Sequence, residues 1–288
     1  MRASEETPAT SPPITIQPSR GWVSLGFKEI WTFRELLYFF AWRDLKVRYK
    51  QSLIGAGWAI IQPLSMMIVF TIFFGRLANI SSNGLPRPIF YYAGLLPWTY
   101  FQLAATQSTN SLVMNRALVA KVYFPRLLLP AASVLSGLFD LAIASLILLA
   151  MTVYYAQLPG SIVGFSPALL FLPVLVALTA ATALATGVWL AAINAKYRDV
   201  RYVITFLLQF WMFASPVVYP TSIVPERWRT LYGLNPMAGV IEGFRWALTG
   251  RGRPPGPMLA ISAGVVLVML VAGLPYFRRY EGTVADFI

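Results

Sequence analysis

The chain has 288 residues, of which 57% are hydrophobic and only 12% are charged, and its mean hydropathy is +0.63. Such a composition is typical of a polytopic membrane protein and leaves no soluble domain of useful size. The lack of Cys and His excludes disulfides, Cys/His zinc sites and His-activated nucleophiles, while the net charge of +12 fits cytoplasmic loops and anionic lipids better than nucleic acid.

The amino-terminal part of the chain is predicted to form a disordered tail followed by an interfacial helix. Residues 1–19 are rich in Pro, Ser and Thr and contain no apolar run, which is typical of disorder. Residues 20–53 include a helix with an aromatic face beside a cationic band, so we expect it to lie flat at the lipid headgroups. The predicted headgroup contacts are Trp42, Arg43, Lys46, Tyr49 and Lys50.

Residues 54–288 are predicted to form an all-α membrane domain with six transmembrane helices. The second predicted span is the least apolar, because Gln102, Gln107 and Asn110 interrupt it. These side chains must face protein or water, since a lipid-facing helix could not tolerate them. Apolar runs near the 20 residues needed to cross a bilayer cover residues 54–74, 90–112, 128–154, 167–193, 203–219 and 258–277.

The distribution of basic residues predicts the orientation of these helices. With both termini in the cytoplasm, 16 of the 23 Lys and Arg residues lie in cytoplasmic segments, as the positive-inside rule requires. Asp140 is the one acidic residue within a predicted span. It either hydrogen-bonds a neighbouring helix as structural glue, the interpretation we favour, or takes part in a proton relay.

The residues that flank each Lys indicate whether this chain could bind ATP itself. None of the five Lys residues follows a Gly and precedes Ser or Thr, so ATP binding through a glycine-rich phosphate loop is not predicted for this chain. The predicted spans also lack any cluster of catalytic side chains, which argues against an enzyme.

The region between the fifth and sixth spans is predicted to be broken into short helices. The two prolines of SPVVYP, residues 215–220, end or kink the fifth span. Residues 223–248 then show helical spacing with an interruption at 233–236. This pattern suits two short re-entrant helices that dip into the outer leaflet before the last span.

Five ordered matches carry a resemblance to a known family. They are AWRDLKVRYKQSLIGAGWAIIQPL at residues 41–64, YYAGLLPWTYF at 91–101, KVYFPRLLLP at 121–130, NAKYRDVRYV at 194–203, and SPVVYP at 215–220 with LNPMAGVIEGFR at 234–245. Together they resemble the membrane permease of type-2 ABC exporters of bacterial cell-surface polysaccharides, the family that serves O-antigen, capsule and teichoic acid. The resemblance covers nearly the whole chain from about residue 31.

The resemblance implies a division of labour between chains. Two copies of the permease would pair with two separate ATP-binding cassette subunits, which bind ATP and Mg, while this chain itself would hold no cofactor. The stretch between the second and third spans would form a coupling helix on the ATPase, and the loop after the fourth span a second contact. The residues assigned to coupling are Arg116, Leu118, Val119, Lys121, Tyr123, Arg126, Tyr197, Arg198 and Asp199.

The substrate path is predicted from aromatic and amide side chains. Aromatic faces pack against the apolar C–H surfaces of sugar rings, although interfacial belts and packing are the ordinary roles of aromatics in membrane proteins. The path candidates are Trp58, Phe70, Tyr91, Tyr92, Trp98, Tyr100, Gln102, Gln107, Asn110, Phe206, Phe210 and Trp211. The resemblance also implies an outer gate that includes Ser215, Pro216, Tyr219, Asn235, Pro236 and Arg245.

The sequence is therefore interpreted as a homodimeric permease of the bacterial inner membrane with both termini in the cytoplasm. It would move a lipid-linked polysaccharide outward, with membrane lipids as further partners and no role for nucleic acid. An exporter of lipids or drugs from the same superfamily would share the fold and the coupling helix. A membrane-embedded enzyme or scaffold, the alternative from another class, would need no ATPase partner.

Overall fold

The computed structural model describes residues 31–50, 54–197, 199–249, 254 and 256–287. The predicted tail at residues 1–19 and the predicted coupling residue Arg198 lie outside these ranges. The described residues form helices joined by short loops and contain no β-strand, which confirms the all-α prediction.

Ten α-helices account for most of the described chain, and short 3₁₀ segments precede or join several of them. A π-helical stretch, Thr71–Leu77, extends the second helix. The helices are α1 Arg34–Lys50, α2 Trp58–Phe70, α3 Arg87–Met114, α4 Arg116–Lys121, α5 Leu128–Ala156, α6 Leu172–Lys196, α7 Val200–Ala214, α8 Glu226–Arg229, α9 Pro236–Thr249 and α10 Gly256–Phe287.

Four helical segments of the described chain are long and apolar enough to cross a membrane. They are Gly55–Leu77, Leu128–Ala156, Pro167–Lys196 and Gly256–Tyr280. The helix α7 is apolar but has only 15 residues, and α3 has 28 residues but is less apolar than the four. The structure thus supports a multi-span membrane protein, with four of the six predicted spans meeting the length and composition expected.

The helix α3 lies at the centre of the bundle, which explains its low apolarity. It packs most extensively against α5 and α6, and 18 of its 28 residues are buried. Small residues permit these close crossings, since a Cβ at Gly187 of α6 would collide with the Ser108 side chain of α3. Similarly, a Cβ at Gly137 of α5 would lie 3.1 Å from the Tyr100 ring. Polar side chains on α3 therefore face protein rather than lipid.

A second buried cluster ties the short helix α4 to five longer helices, α1, α3, α5, α6 and α10. Val119 of α4 is 5% exposed and belongs to a cluster with Phe40 of α1 and Phe277 of α10. Phe40 also makes an edge-on contact with Phe124, which follows α4, at 5.5 Å between ring centroids. We call this side of the molecule the α4 end, and the side carrying the 215–235 loops the opposite end.

The helix α9 closes the opposite end by packing on α10 and α3. Glycine lets the backbones approach, because a Cβ at Gly239 would lie only 2.5 Å from the Ser262 Oγ. The Ser262 hydroxyl donates to the Gly233 carbonyl at 2.9 Å, which joins α10 to the turn before α9. A helix break at Asn235 agrees with the interruption predicted at residues 233–236.

Candidate functional site

An ion pair links α1 to the middle of α5. The Arg48 guanidinium contacts the Asp140 carboxylate and donates to the Gln107 side chain of α3 at 2.5 Å and to the Ser136 hydroxyl at 3.2 Å. The side chains of Arg48 and Asp140 are only 20% and 13% exposed. Asp140 thus bonds to a neighbouring helix, as we favoured from the sequence. Its partner, Arg48, is not among the predicted site residues.

A cavity of about 320 Å³ lies beside this ion pair, between α1, α2, α3 and α5. Its wall combines the two charged groups with aromatic rings, amides and hydroxyls. Three predicted path residues line it together with the predicted headgroup residue Tyr49. The polar and aromatic side chains of the wall are Arg48, Tyr49, Trp58, Gln62, Thr99, Tyr100, Gln102, Thr106 and Asp140.

Other predicted path residues lie in the protein core instead. Tyr91, Tyr92 and Trp98 are each 0% exposed, and Phe70 is 4% exposed. The Tyr92 hydroxyl donates to the Ala144 carbonyl at 2.8 Å, which is a helix-to-helix contact of α3 with α5. In the conformation described, these four rings pack the bundle and do not line the cavity.

The remaining path candidates divide between buried contacts and an exposed face. Gln107 belongs to the ion-pair cluster, and Asn110 accepts a hydrogen bond from Asn194 of α6 at 3.2 Å. Phe206 and Phe210 of α7 are each 63% exposed and contact each other at 4.6 Å between ring centroids. They form an aromatic face on the outside of this single chain.

The predicted outer-gate residues lie together at the opposite end. The Asn235 side chain accepts from the Trp211 indole at 2.9 Å and donates to the Ser215 hydroxyl at 2.9 Å. The Tyr219 and Tyr232 hydroxyls are 2.9 Å apart. Pro216 and Pro236 are buried in the same region. The structure thus brings these predicted outer-gate residues together at one end of the bundle.

Arg245 is the best-enclosed charge among the described residues of this cluster, at 4% exposure. Its guanidinium donates to the Val217 carbonyl at 2.9 Å and to the Tyr219 and Phe90 carbonyls at 3.4 Å. It also stacks over the Phe90 ring at 3.7 Å, and the Glu242 carboxylate lies 3.8 Å away. These contacts fasten the 215–220 loop to α3 and α9.

The predicted coupling segment is exposed at the α4 end except where α4 is anchored. Tyr123 is 84% exposed, and Arg116 and Lys121 are exposed beside it. Leu118 and Arg126 are half-buried. Val119 was expected to be an anchor for a partner, but it is already buried within this chain and holds α4 in place.

The second predicted coupling contact also lies at the α4 end. Tyr197 and Asp199 are exposed on either side of Arg198, which the structure does not describe. The Lys196 ammonium lies 5.1 Å from the Tyr197 ring. Asn194 positions this loop, because its side chain donates to the Thr109 carbonyl near the end of α3 at 3.1 Å.

The helix α1 packs along α5 with one face and leaves Tyr38 and Trp42 exposed on another. Phe40 is buried against the bundle, and Tyr49 turns towards Phe139 and the cavity. Trp42 is 52% exposed, and Lys46 and Lys50 are exposed as well. Arg43 pairs with its neighbour Asp44 at 2.8 Å. Trp42, Lys46 and Lys50 thus keep the exposure that contact with headgroups requires.

Comparison with known proteins identifies the family of this chain. The family model described as ABC-2 type transporter matches residues 35–249, which is well over half of the sequence. The chain belongs to the ABC-2 type transporter family. It is 30% identical over 264 residues to the O-antigen export system permease protein RfbA of Myxococcus xanthus, covering 91% of this chain and 98% of that protein.

Further relatives of this ABC-2 chain carry names of the same kind. An O-antigen export system permease protein RfbA of Klebsiella pneumoniae is 24% identical, covering 88% of this chain and 95% of that protein. The polysialic acid transport protein KpsM of Escherichia coli is 24% identical, covering 83% of this chain and 91% of that protein. The family resemblance seen in the sequence is therefore confirmed.

Sequence reasoning missed Arg48 in this ABC-2 chain, although a signal was present. A lone carboxylate in an apolar span needs a cation or a hydrogen-bonding helix nearby. Arg48 lies two helical turns after Phe40 and Ala41, on the face of α1 that packs against α5. The spacing from Phe40 and Ala41 could have marked Arg48 as a cation on the buried face of α1, whereas its pairing with Asp140 is seen only in the packing.

Proposed function

We propose that this chain is the permease subunit of an ATP-driven exporter that moves lipid-linked polysaccharide outward across the bacterial inner membrane. The carrying observation is the match to relatives named for O-antigen export and polysialic acid transport, which extends over 83–91% of this chain. The multi-helix membrane fold supports the proposal, because a permease must be embedded in the bilayer it serves.

The proposed membrane arrangement has six spans with both termini in the cytoplasm. Four segments meet the length and composition of spans. Of the other two, α3 would be the second span along the chain, shielded from lipid by its neighbours, and α7 would be the fifth, lengthened by the loop that Arg245 holds. The short helices between α7 and α10 would be re-entrant at the outer interface, and the α4 end would then lie in the cytoplasm.

The proposed partners are a second copy of this chain and two ATP-binding cassette subunits, which would supply ATP and Mg binding. The α4 end suits a docking site because Tyr123 and Met114 are 84% and 79% exposed, with Arg116 and Lys121 beside them. Aromatic anchors with a charged rim are typical of protein interfaces. The Val119 anchor would transmit movement of α4 to α1 and α10 through the second cluster.

The proposed path uses the exposed aromatic residues and the cavity wall. Phe206 and Phe210 offer ring faces that could slide past successive sugars, and Trp58 does so at the cavity. The exposed cations of α1, Lys46 and Lys50, would attract the phosphate of the lipid carrier from the inner leaflet.

The proposal is tested by native mass spectrometry of the complex released gently from its own membranes, with every copurifying chain identified. Two copies of this chain with two ATP-binding subunits and a retained glycolipid would support it. Two results together would favour the lipid or drug exporter. The complex would retain a lipid or small amphiphile in place of the glycan, and cells in which the gene is deleted would keep their surface polysaccharide. A dimer without any ATPase, with lipids still bound, would overturn the transport proposal.

A further inference from the structure

The cavity between α1, α2, α3 and α5 is lined by a buried ion pair. Arg48 and Asp140 both line it, and their charges cancel. Replacing a buried ion pair with apolar residues of similar volume is often neutral or stabilising. Ionisable residues at membrane depth are uncommon and usually mark functional sites. The pair is therefore a candidate for binding a ligand in addition to joining two helices.

The cavity wall leaves hydrogen-bonding capacity for such a ligand. The Oδ1 atom of Asp140, a residue that lines the cavity, is buried and has no hydrogen-bond partner in the described structure. Gln62, Thr99 and Thr106 line the same cavity, as does Gln102, whose carbonyl oxygen accepts from Trp98 while its amide N–H groups remain available. The wall thus offers both donors and acceptors around a site of zero net charge.

These features select one class of ligand. An anion would compete with Asp140 for Arg48 and would leave a carboxylate unpaired. An acyl or isoprenoid chain would bury the amides and hydroxyls without partners. An uncharged polyhydroxyl ligand could donate to Asp140 and accept from Arg48, while a C–H face packs on Trp58, which is 53% exposed.

We propose that this cavity is a subsite for an uncharged sugar residue, with Arg48 and Asp140 as its polar contacts. The volume of about 320 Å³ lies at the lower end of the roughly 300–1,000 Å³ typical of small-molecule sites, which suits one or two sugar rings. The proposal rests on the proposed polysaccharide export, and it names a binding position within a single protomer.

The lack of cysteine in the chain makes a protection experiment possible. Thr106→Cys places one thiol on the cavity wall, and Ser222→Cys, at an exposed position on the opposite end, is the matched control. Both are labelled with a maleimide in freeze–thawed membrane vesicles that contain the intact transporter. The labelling rate is measured with maltotriose, inorganic pyrophosphate or decanoate, each at the same concentration.

We expect maltotriose to slow labelling at position 106 at least threefold, with pyrophosphate and decanoate having little effect and position 222 unchanged. Adding Asp140→Asn should abolish the protection, and so should Gln102→Leu, which leaves the ion pair intact in case the first variant fails to fold. Each variant is checked for recovery of the assembled transporter.

Stronger protection by pyrophosphate would reveal an anion site and overturn the proposal, and stronger protection by decanoate would reveal a lipid-chain site and overturn it too. Absence of protection by maltotriose, with surface polysaccharide still exported by the Thr106→Cys strain, would remove the subsite while leaving the export function standing. The export function itself fails separately, if cells without this chain keep their surface polysaccharide.

Discussion

Exchanging Gly187 for Ala tests the close crossing of α3 and α6. The added Cβ would collide with the Cβ and Oγ atoms of Ser108, which is 0% exposed. The next atom, the Ser108 Cα, lies at an ordinary 3.6 Å. The collision therefore comes from the Ser108 side chain alone, and a second substitution, Ser108→Gly, should relieve it by exchanging which helix carries the Cβ.

The expected magnitude follows from opposing terms. Overpacking a tight interior costs about 1–3 kcal/mol, while Gly→Ala in a helix returns about 0.5–1 kcal/mol, so Gly187→Ala should destabilise by about 0.5–2 kcal/mol. In the double variant the overlap disappears, and Ser108→Gly costs about 0.5 kcal/mol in helix propensity. No side-chain hydrogen bond is lost, because the Ser108 hydroxyl has no partner in the described structure.

The assay is an unfolding titration of the purified chain with sodium dodecyl sulfate in mixed micelles. Unfolding is monitored by the change in Trp fluorescence as the helices lose their packing. The double variant should unfold at a higher dodecyl sulfate fraction than Gly187→Ala alone. Ser108→Ala is the control and should lie close to the parent chain. A Gly187→Ala variant as stable as the parent, or a double variant no better than the single one, would refute the crossing geometry.

Three further outcomes are expected. Arg48→Met or Asp140→Leu alone should lower the free energy of unfolding by about 1–3 kcal/mol. This is less than the roughly 3–5 kcal/mol expected when one partner of a fully buried pair is removed, because these side chains are 20% and 13% exposed. The double variant should recover most of the lost stability in the same titration. Arg245→Gln should cost about 2 kcal/mol through unsatisfied carbonyls and speed limited proteolysis at residues 220–231, whereas unchanged proteolysis would show that the loop does not depend on Arg245. Tyr123→Asp should uncouple ATP hydrolysis from export in a folded complex, whereas Val119→Ala should lower thermal stability first; full export by the folded Tyr123→Asp variant would contradict the coupling role.

Composition and apolar runs were sufficient to predict the helical fold, and the motif order predicted the family. The predicted start of the second span, residue 90, lies three residues from the start of α3 at Arg87. The position of α3 at the bundle centre was not predicted, because it depends on contacts between residues that are distant in the sequence. The same limit applies to Arg48 and Asp140, which are 92 residues apart. Pattern analysis identifies a face of one helix, and only packing shows which helix covers it.

The predicted aromatic path shows a second limit of prediction from sequence. Chemistry alone grouped Tyr91 and Tyr92 with Trp58, since all three carry rings suited to sugars. The structure separates them, because α3 is enclosed on nearly every side whereas Trp58 begins a helix that remains largely exposed in this chain. A residue type indicates what a side chain could bind, and burial decides whether anything can reach it.

The enclosed, weakly apolar helix α3 has a consequence for how the protein is made. Insertion into a bilayer depends on the apolarity of each segment as it leaves the ribosome, and α3 falls below the four helices that meet the span criterion. Its main neighbours, α5 and α6, are synthesised after it. Stable placement of α3 should therefore wait for those later helices, so that truncation before residue 172 would strand α3 outside the membrane core.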